Sequence, residues 1–394
     1  MKSILAINSG SSSLKFALFR ADSSGLSPIA RGAVERIGQP AGFLRIEDAD
    51  GQSLLRLDSE YPETVTAVRA TMEGLGRLEL PAPEVVGHRI VHGGPNHLRP
   101  ERVTPELLED LRGLTPFAPL HTPSAVAAIE AVRVRYPTAP QIACFDTGFF
   151  ADMPDVAKRL PLPREFRDTG VRRYGFHGLS YESIVEQLGD EVLPRTIIAH
   201  LGNGVSMAAL RDGRPVDTTM GFTPNGGCVM GTRTGDIDPG TLLYLMHEKG
   251  MNVDDLDRLV NRESGLLGIS GISRDMQTLL EKQADHPAAA EAVESFCHSA
   301  RKNIGALATT LSGLDLLVFT GGIGERSPEI RFRICEGLSF LGIELDTERN
   351  QSDSAVISKD GAGCVVLAMQ TDEDLTIARH TSRLSSGLEG DGSD

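Results

Sequence analysis

One ordered set of elements occurs twice in this chain, and that duplication constrains its fold more than any other feature. Residues 4–19, ILAINSGSSSLKFALF, are two apolar runs (4–8 and 14–19) held apart by small polar residues, which reads as a β-hairpin. After it come VVGHRIV (85–91), a strand candidate leading into His92-Gly93-Gly94, and a helix capped by Thr122-Pro123 with Val126, Ile129 and Val132 on its apolar face. IACFDTGFF (142–150) follows as a short buried strand ending on Asp146. The second half repeats the order. IIAHLGNGVSMAAL (197–210) is again apolar run, polar turn and apolar run, and an amphipathic helix follows at about 288–311 with Gly313 just past its end. LLVFTGGIGE (316–325) is a strand entering a Gly-rich turn, Ser327-Pro328 starts the next helix, and CVVLAMQTDEDL (364–375) is a buried strand ending on acids. Gly93 to Asp146 and Gly322 to Glu373 are nearly equal separations. The pattern predicts two related α/β halves, a duplication at domain scale rather than a solenoid. Two unrelated α/β domains in the same order are the alternative.

At 394 residues, 40% apolar and 24% charged, the chain has the size and composition of two ordinary globular domains. No apolar run approaches the roughly 20 residues that cross a bilayer. The start, Lys2 and four apolar residues, is shorter than a signal peptide's apolar region of about 7–15 residues, so the expected location is cytoplasmic. Cys144, Cys228, Cys297, Cys335 and Cys364 are scattered and form no C-x-x-C, which fits reduced thiols and argues against a disulfide framework or structural zinc. A net charge of −15 disfavours broad binding to nucleic acid or anionic membrane. An anionic ligand would therefore need a local positive field built from a few placed groups. The stretch from Ser385, SSGLEGDGSD, reads as a disordered tail.

The first turn has no Gly-Lys-Ser/Thr ending, since Leu14 stands where a phosphate loop has its second Gly. A tight turn can still aim backbone N–H groups at an anion. Gly10 permits tight geometry, Ser11, Ser12 and Ser13 add hydroxyls, Lys15 adds charge, and the Asn8 amide oxygen suits a metal ion or its waters. His200, Leu201, Gly202, Asn203 and Gly204 form the matching turn of the other half. Arg89 and Arg233, beside Gly-rich turns, are the natural guanidinium forks for carboxylate or phosphate oxygens. His177, between an aromatic residue and a glycine, suits a side chain exposed at a loop apex; a hydrogen-bonded structural histidine is the blander reading. His121 and His200 are supporting candidates. Asp146, at the end of a buried strand, needs a partner or a capping role.

These residues lie in motifs that resemble the successive signatures of the acetate kinase family. NSGSSSLKF, GHRIVHGG, APLHTPS, FDTGFF, YGFHGLS, HLGNGVS, MGTRTGDIDPG, TGGIGE and TDEDLTIA run in family order from residue 8 to 378. The resemblance implies the duplicated two-domain, ribonuclease H-like ATPase fold shared with actin, sugar kinases and heat-shock ATPases, with a central nucleotide cleft. It implies lobes at 1–148 plus about 375–386 (phosphate hairpin, acid side) and at 149–374 (second hairpin, adenosine site), with 387–394 as tail; residues 149–195 could pack with either lobe. It also implies reversible phosphorylation of acetate by ATP with Mg²⁺, Mn²⁺ as a possible substitute, by a cytoplasmic homodimer.

By the same resemblance Arg89 holds the substrate carboxylate, Arg233 stabilises the transition state, and His177 donates to the phosphoryl group. Asp146 is an essential carboxylate; because acetate is already ionised near pH 7, its expected task is to orient Arg233 or Mg²⁺-bound water rather than act as a base. Asn8 and Glu373 are the implied Mg²⁺ contacts. Lys15 and residues 200–204 face the phosphates, and Gly322, Ile323, Gly324, Glu325 and Arg326 meet the adenosine. Asp275, Met276 and Gln277 align with the adenine-contacting stretch but depart from the family's usual residues there. Val91, Leu120, Phe176 and Pro224, with His121, are the implied acid pocket; Phe150 and Asn225-Gly226-Gly227 depart beside it. A propionate or other short-chain acid kinase is the rival within the class, because one methylene is worth only about 1–3 kcal/mol to an apolar pocket. A non-catalytic nucleotide-gated protein of the actin type is the rival outside it.

Overall fold

The computed structural model describes residues 2–10, 12–352 and 354–387. They form two compact units. One runs to Ala151 and adds Gly178–Ser183 and the described residues from Asp372 on; the other is Asp152–His177 with Ile184–Thr371.

The first unit contains strands β1 (Lys2–Ser9), β2 (Ser13–Asp22), β3 (Gly25–Glu35), β4 (Gly42–Asp48), β5 (Ser53–Ser59), β6 (Val85–Ile90), β7 (Glu101–Arg102) and β8 (Gln141–Phe145). They form one sheet in the order β5-β4-β3-β2-β1-β6-β8-β7. The second unit contains β9 (Arg195–Leu201), β10 (Val205–Arg211), β11 (Arg214–Thr218), β12 (Leu316–Thr320) and β13 (Val365–Ala368), in the order β11-β10-β9-β12-β13. The duplication is visible in the pairing. β1 runs antiparallel to β2 and parallel to β6, which is parallel to β8. Likewise β9 runs antiparallel to β10 and parallel to β12, which is parallel to β13. The parallel strands at each centre read as apolar runs because both faces are covered.

Packing in the first unit places the end of one helix at the sheet. Helix Glu373–Gly387 buries Ile377 and Ala378 against Ile4, Ala6 and Val85. Gly87 makes this approach possible: a Cβ there would sit 2.1 Å from Thr381 Oγ1 and 2.6 Å from an Ile377 methyl. The close fit carries Glu373, the first residue of the helix, to the ends of β1 and β6.

Three local readings are corrected. Thr122 does not cap its helix, because His121 holds that position and Thr122 and Pro123 are already inside the first turn. The strand predicted over 142–150 stops at Phe145, and Asp146 opens a 3₁₀ turn, Asp146–Phe150. Ser385 and Ser386 are helical, not tail, because their hydroxyls bond back to the Ser382 carbonyl at 3.0 and 2.9 Å and Ser385 is buried. Residues 388–394 lie outside the described residues.

Candidate active site

In the first unit, the ends of parallel neighbours β6 and β8 put Arg89 and Asp146 side by side. Asp146 is fully buried, and its Oδ2 accepts from Arg89 Nε at 2.9 Å and Nη2 at 2.6 Å. Arg89 Nη1 donates to Asn8 Oδ1 at 2.9 Å and lies 3.9 Å from Glu373; Asn8 Nδ2 donates to Glu373 Oε2 at 2.8 Å. The guanidinium that Asp146 orients is thus that of Arg89. Burial works against the Arg89 cation, yet Asp146 and Glu373 hold its pKa above the ordinary value. Burial likewise pushes the Asp146 carboxyl up, against the pull of Arg89, and Glu373 adds to the rise.

A guanidinium has five N–H donors. Three are used here, which leaves one on each terminal nitrogen, the fork that meets a carboxylate with two parallel bonds. Asp146 Oδ1 is buried without a hydrogen-bond partner among the described residues. With the Asn8 and Glu373 oxygens it makes an all-oxygen donor set, which suits a hard cation such as Mg²⁺. No group of three or more His, Cys, Asp or Glu able to hold a metal occurs among the described residues, so ligand oxygens and water would supply the remaining positions.

Lys15 is exposed on β2 directly opposite Asn8. Gly10 N–H closes the turn onto Ser13 O at 2.8 Å, so that donor is spent; Ser11 lies outside the described residues. Asp374 went unremarked in the sequence. Burial, with Asp372 and Glu373 as neighbours, pushes its carboxyl up to about 7.

The second unit gathers a separate group. His177 takes a left-handed backbone, φ 59°, at the start of helix Gly178–Leu188. It is buried rather than exposed at a loop apex: its Nδ1 hydrogen-bonds Ser206 Oγ at 2.8 Å and its ring stacks on His200 at 4.3 Å. Ser206 sits on β10 opposite His200 on β9, and it was missed although HLGNGVS contains it. Nδ1 is engaged by the hydroxyl, and Nε2 is the ring's other nitrogen. Gly204 marks where it points, since a Cβ there would lie 3.0 Å from His177 Nε2 and 2.8 Å from Arg233 Nη2. Arg233 Nη1 donates to the Pro224 carbonyl. The departing Asn225-Gly226-Gly227 stretch scaffolds this loop: Thr234 Oγ1 donates to Asn225 Oδ1 at 3.1 Å, and Gly227 N–H donates to Asp236 at 2.8 Å.

This geometry yields a prediction. Gly204→Ala lowers turnover by about 10²-fold, because about 1 Å of misplacement near the chemistry is enough for that loss. Stability stays within about 0.5 kcal/mol, because the Arg233 tip can swing away cheaply. Steady-state kinetics with a urea unfolding curve checks both; a large stability loss would mean that the turn itself cannot take a side chain.

The nucleotide candidates are in the second unit apart from Lys15. Gly202 N–H closes its turn onto Gly204 O at 3.1 Å, as Gly10 does in the first hairpin. Gly231 N–H donates to Asn203 O at 3.2 Å, and a Cβ on Gly231 would lie 3.2 Å from Arg274 O, so the Asn203 turn, the Arg233 loop and the chain at Arg274 meet. Of the next three residues, Asp275 caps helix Met276–Lys282 by accepting from Thr278 N–H at 2.9 Å, Met276 is buried, and Gln277 is exposed. Gly322, Ile323, Gly324, Glu325 and Arg326 form the short helix Gly321–Arg326 after β12. Glu325 there accepts from Gly321 and Thr371 N–H, whereas Gly322 faces open space.

For the acid pocket, Val91 follows β6 and is buried, and Leu120 and His121 are half-buried just before helix Thr122–Arg135. In the other unit Phe176 is fully buried beside His177. Phe150 packs edge-on against Phe149 and Tyr181.

A doubled sheet plan with arginine, histidine and carboxylate groups at its turns defines a class, the duplicated α/β phosphoryl-transfer enzymes. The chain belongs to the acetokinase family, whose model matches residues 3–379. It is 46% identical to an acetate kinase of Rhodopseudomonas palustris, covering 98% of each chain, and 44% identical to one of Methylocella silvestris, covering 97% of each. Its structure is similar to that of Porphyromonas gingivalis acetate kinase, with TM-score 0.85 and 35% identity, covering 98% of this chain and all of that one. It is also similar to a propionate kinase from Francisella tularensis, with TM-score 0.90 and 33% identity, covering 97% of this chain and all of that one.

Proposed function

We propose that this enzyme transfers the γ-phosphoryl group of ATP directly to acetate, reversibly, giving acetyl phosphate and ADP. The carrying observation is the approach of Arg233 Nη2 and His177 Nε2 to the same residue, Gly204, which brings a guanidinium and an imidazole together at one turn. Acetate is ionised near neutral pH, so it attacks without a base, and what the protein must supply is position and positive charge. Arg89, held by Asp146 and Asn8, offers its two remaining N–H groups to the carboxylate. Arg233 and His177 donate to the oxygens of the phosphoryl group as charge spreads over them. Lys15, His200 and the backbone of Leu201–Gly204 hold the phosphates, and residues 275–277 and 322–326 the nucleoside.

Asn8, Glu373 and Asp146 Oδ1 would hold Mg²⁺, or Mn²⁺ in its place; when bound it neutralises charge on the phosphate oxygens. The five buried thiols fit a reducing, cytoplasmic setting. Among the described residues no helix is long and apolar enough to cross a membrane.

The enzyme works as a homodimer in this reading. Helix Pro239–Lys249 has no buried residue and exposes Leu243, Tyr244 and Met246, with Ile237 and Val253 exposed beside it. An apolar patch of this kind marks an interface, and a second copy of the chain covers it. Sedimentation of the protein as a monomer at micromolar concentration would remove the dimer.

Incubating purified protein with ATP, Mg²⁺, hydroxylamine and acetate, propionate or butyrate tests the activity. Acetohydroxamate forms fastest at limiting acid. A tenfold preference for propionate, the substrate named for the Francisella relative, would move the assignment to that acid. Absence of hydroxamate with every acid would leave a nucleotide-binding protein without this chemistry.

A further inference from the structure

The second unit holds a cavity that the kinase chemistry does not use. It has a volume of about 170 Å³ and lies within residues 155–172. Lys158, Arg159, Arg164, Arg167 and Arg172 line it, and Asp155 is the one carboxylate in its wall among the described residues. Asp155 reaches Arg159 and Arg167 only at 3.4 and 3.5 Å. Leu160, Leu162 and Val171 supply apolar surface. Five cations around one space repel one another, and in a chain of net charge −15 such a concentration is unusual. Crowding is evident at Lys158, whose ammonium is pulled below its ordinary range by burial and by Arg172. Arg172 Nε is buried without a hydrogen-bond partner among the described residues. An anion would relieve the repulsion.

The cavity is also tied to the residues around His177. Arg172 lies over the Tyr174 ring, 4.8 Å from its centroid. Arg173 N–H donates to the Lys158 carbonyl at 2.7 Å, and its side chain donates to the carbonyls of Thr218 at 2.8 Å and Thr219 at 3.2 Å. Tyr174 N–H donates to Gly221 O at 3.0 Å. One branch of this network continues along the chain to His177, the other to Pro224, whose carbonyl holds Arg233.

We propose that the cavity binds a small organic anion carrying at least two negative charges, and that its occupancy is transmitted through Arg172 and Arg173 to His177 and Arg233. Carboxylate and phosphate groups share the required chemistry, so two probes are used: succinate and glycerol 3-phosphate. Each is titrated calorimetrically into the full-length protein and into R164A/R167A, and turnover with ATP and acetate is measured with and without each probe. At least one probe binds saturably, and the double variant weakens it by about tenfold or more, the effect of losing one or two charge-assisted bonds. That probe changes wild-type turnover by about twofold or more while turnover of the variant, equal to wild type without probe, does not respond.

Three results overturn the site: no saturable binding of either probe, equal affinity in the variant, or equal inhibition of both proteins, which would put the anion at the kinase centre. Binding without any change in turnover overturns the transmission. The turnover arm rests on the kinase reading, whereas the titration does not, so failure of one is distinguishable from failure of the other.

Discussion

Arg233→Ala lowers kcat by about 10³-fold or more and changes ATP affinity by less than about threefold. The first figure is what an arginine aimed at a transferring phosphoryl group contributes. The second follows if Arg233 meets charge that develops only during transfer, because such an interaction acts on kcat rather than on ground-state binding. Its position supports that role. Nη1 is tied to the Pro224 carbonyl, whereas Nη2 packs against Gly204 beside His177 Nε2. Lysine restores little, because one ammonium cannot bond Pro224 and a phosphoryl oxygen in the fixed geometry of the fork. Single-turnover kinetics together with nucleotide binding separates the two quantities. Matching losses in both would reduce Arg233 to a residue that binds phosphate in the ground state.

Asp146→Ala damages folding and chemistry together. It leaves the Arg89 guanidinium, only 16% exposed, without its main counter-charge. Breaking a buried pair from one side costs about 3–5 kcal/mol, and the residual exposure and Glu373 place the expected loss near the lower figure. Turnover falls by about 10²-fold or more, because an Arg89 released from two of its three bonds no longer presents a fixed fork to the acid. Asp146→Asn keeps an acceptor and the shape, so more stability than activity is retained. Urea unfolding and acetate kinetics on both variants test this. An alanine variant as stable as wild type would show that Arg89 does not depend on Asp146.

The elements were legible where a local pattern forces them. Period-two and continuous apolar runs placed both hairpins and the central strands, and repetition of the order anticipated the repeated pairing of β1, β2, β6 and β8 in β9, β10, β12 and β13. Partners across the sheet were not legible. Arg89 and Asp146 are 57 residues apart, and only the parallel pairing of β6 with β8 makes them neighbours. Asn8 read as an amide oxygen for a metal ion or its waters, and its bonds to Arg89 on β6 and to Glu373 at the start of the last helix were not foreseen. His177, between an aromatic residue and a glycine, suited either an exposed loop apex or a hydrogen-bonded structural histidine; it is buried and hydrogen-bonded, with the ring on His200 and Ser206. Nothing in one sequence distinguishes Ser206 from any other strand serine until β9 and β10 pair. The helix that runs through Ser385 and Ser386 was obscured by a composition of small residues that suits a tail equally well.

In the proposed reaction acetate takes the phosphoryl group straight from ATP, with the protein supplying charge and position and no covalent link. ATP made chiral at the γ-phosphorus with oxygen isotopes tests it most directly. Single in-line transfer predicts acetyl phosphate of inverted configuration. Retention would require two displacements through a phosphorylated side chain, and would contradict the claim.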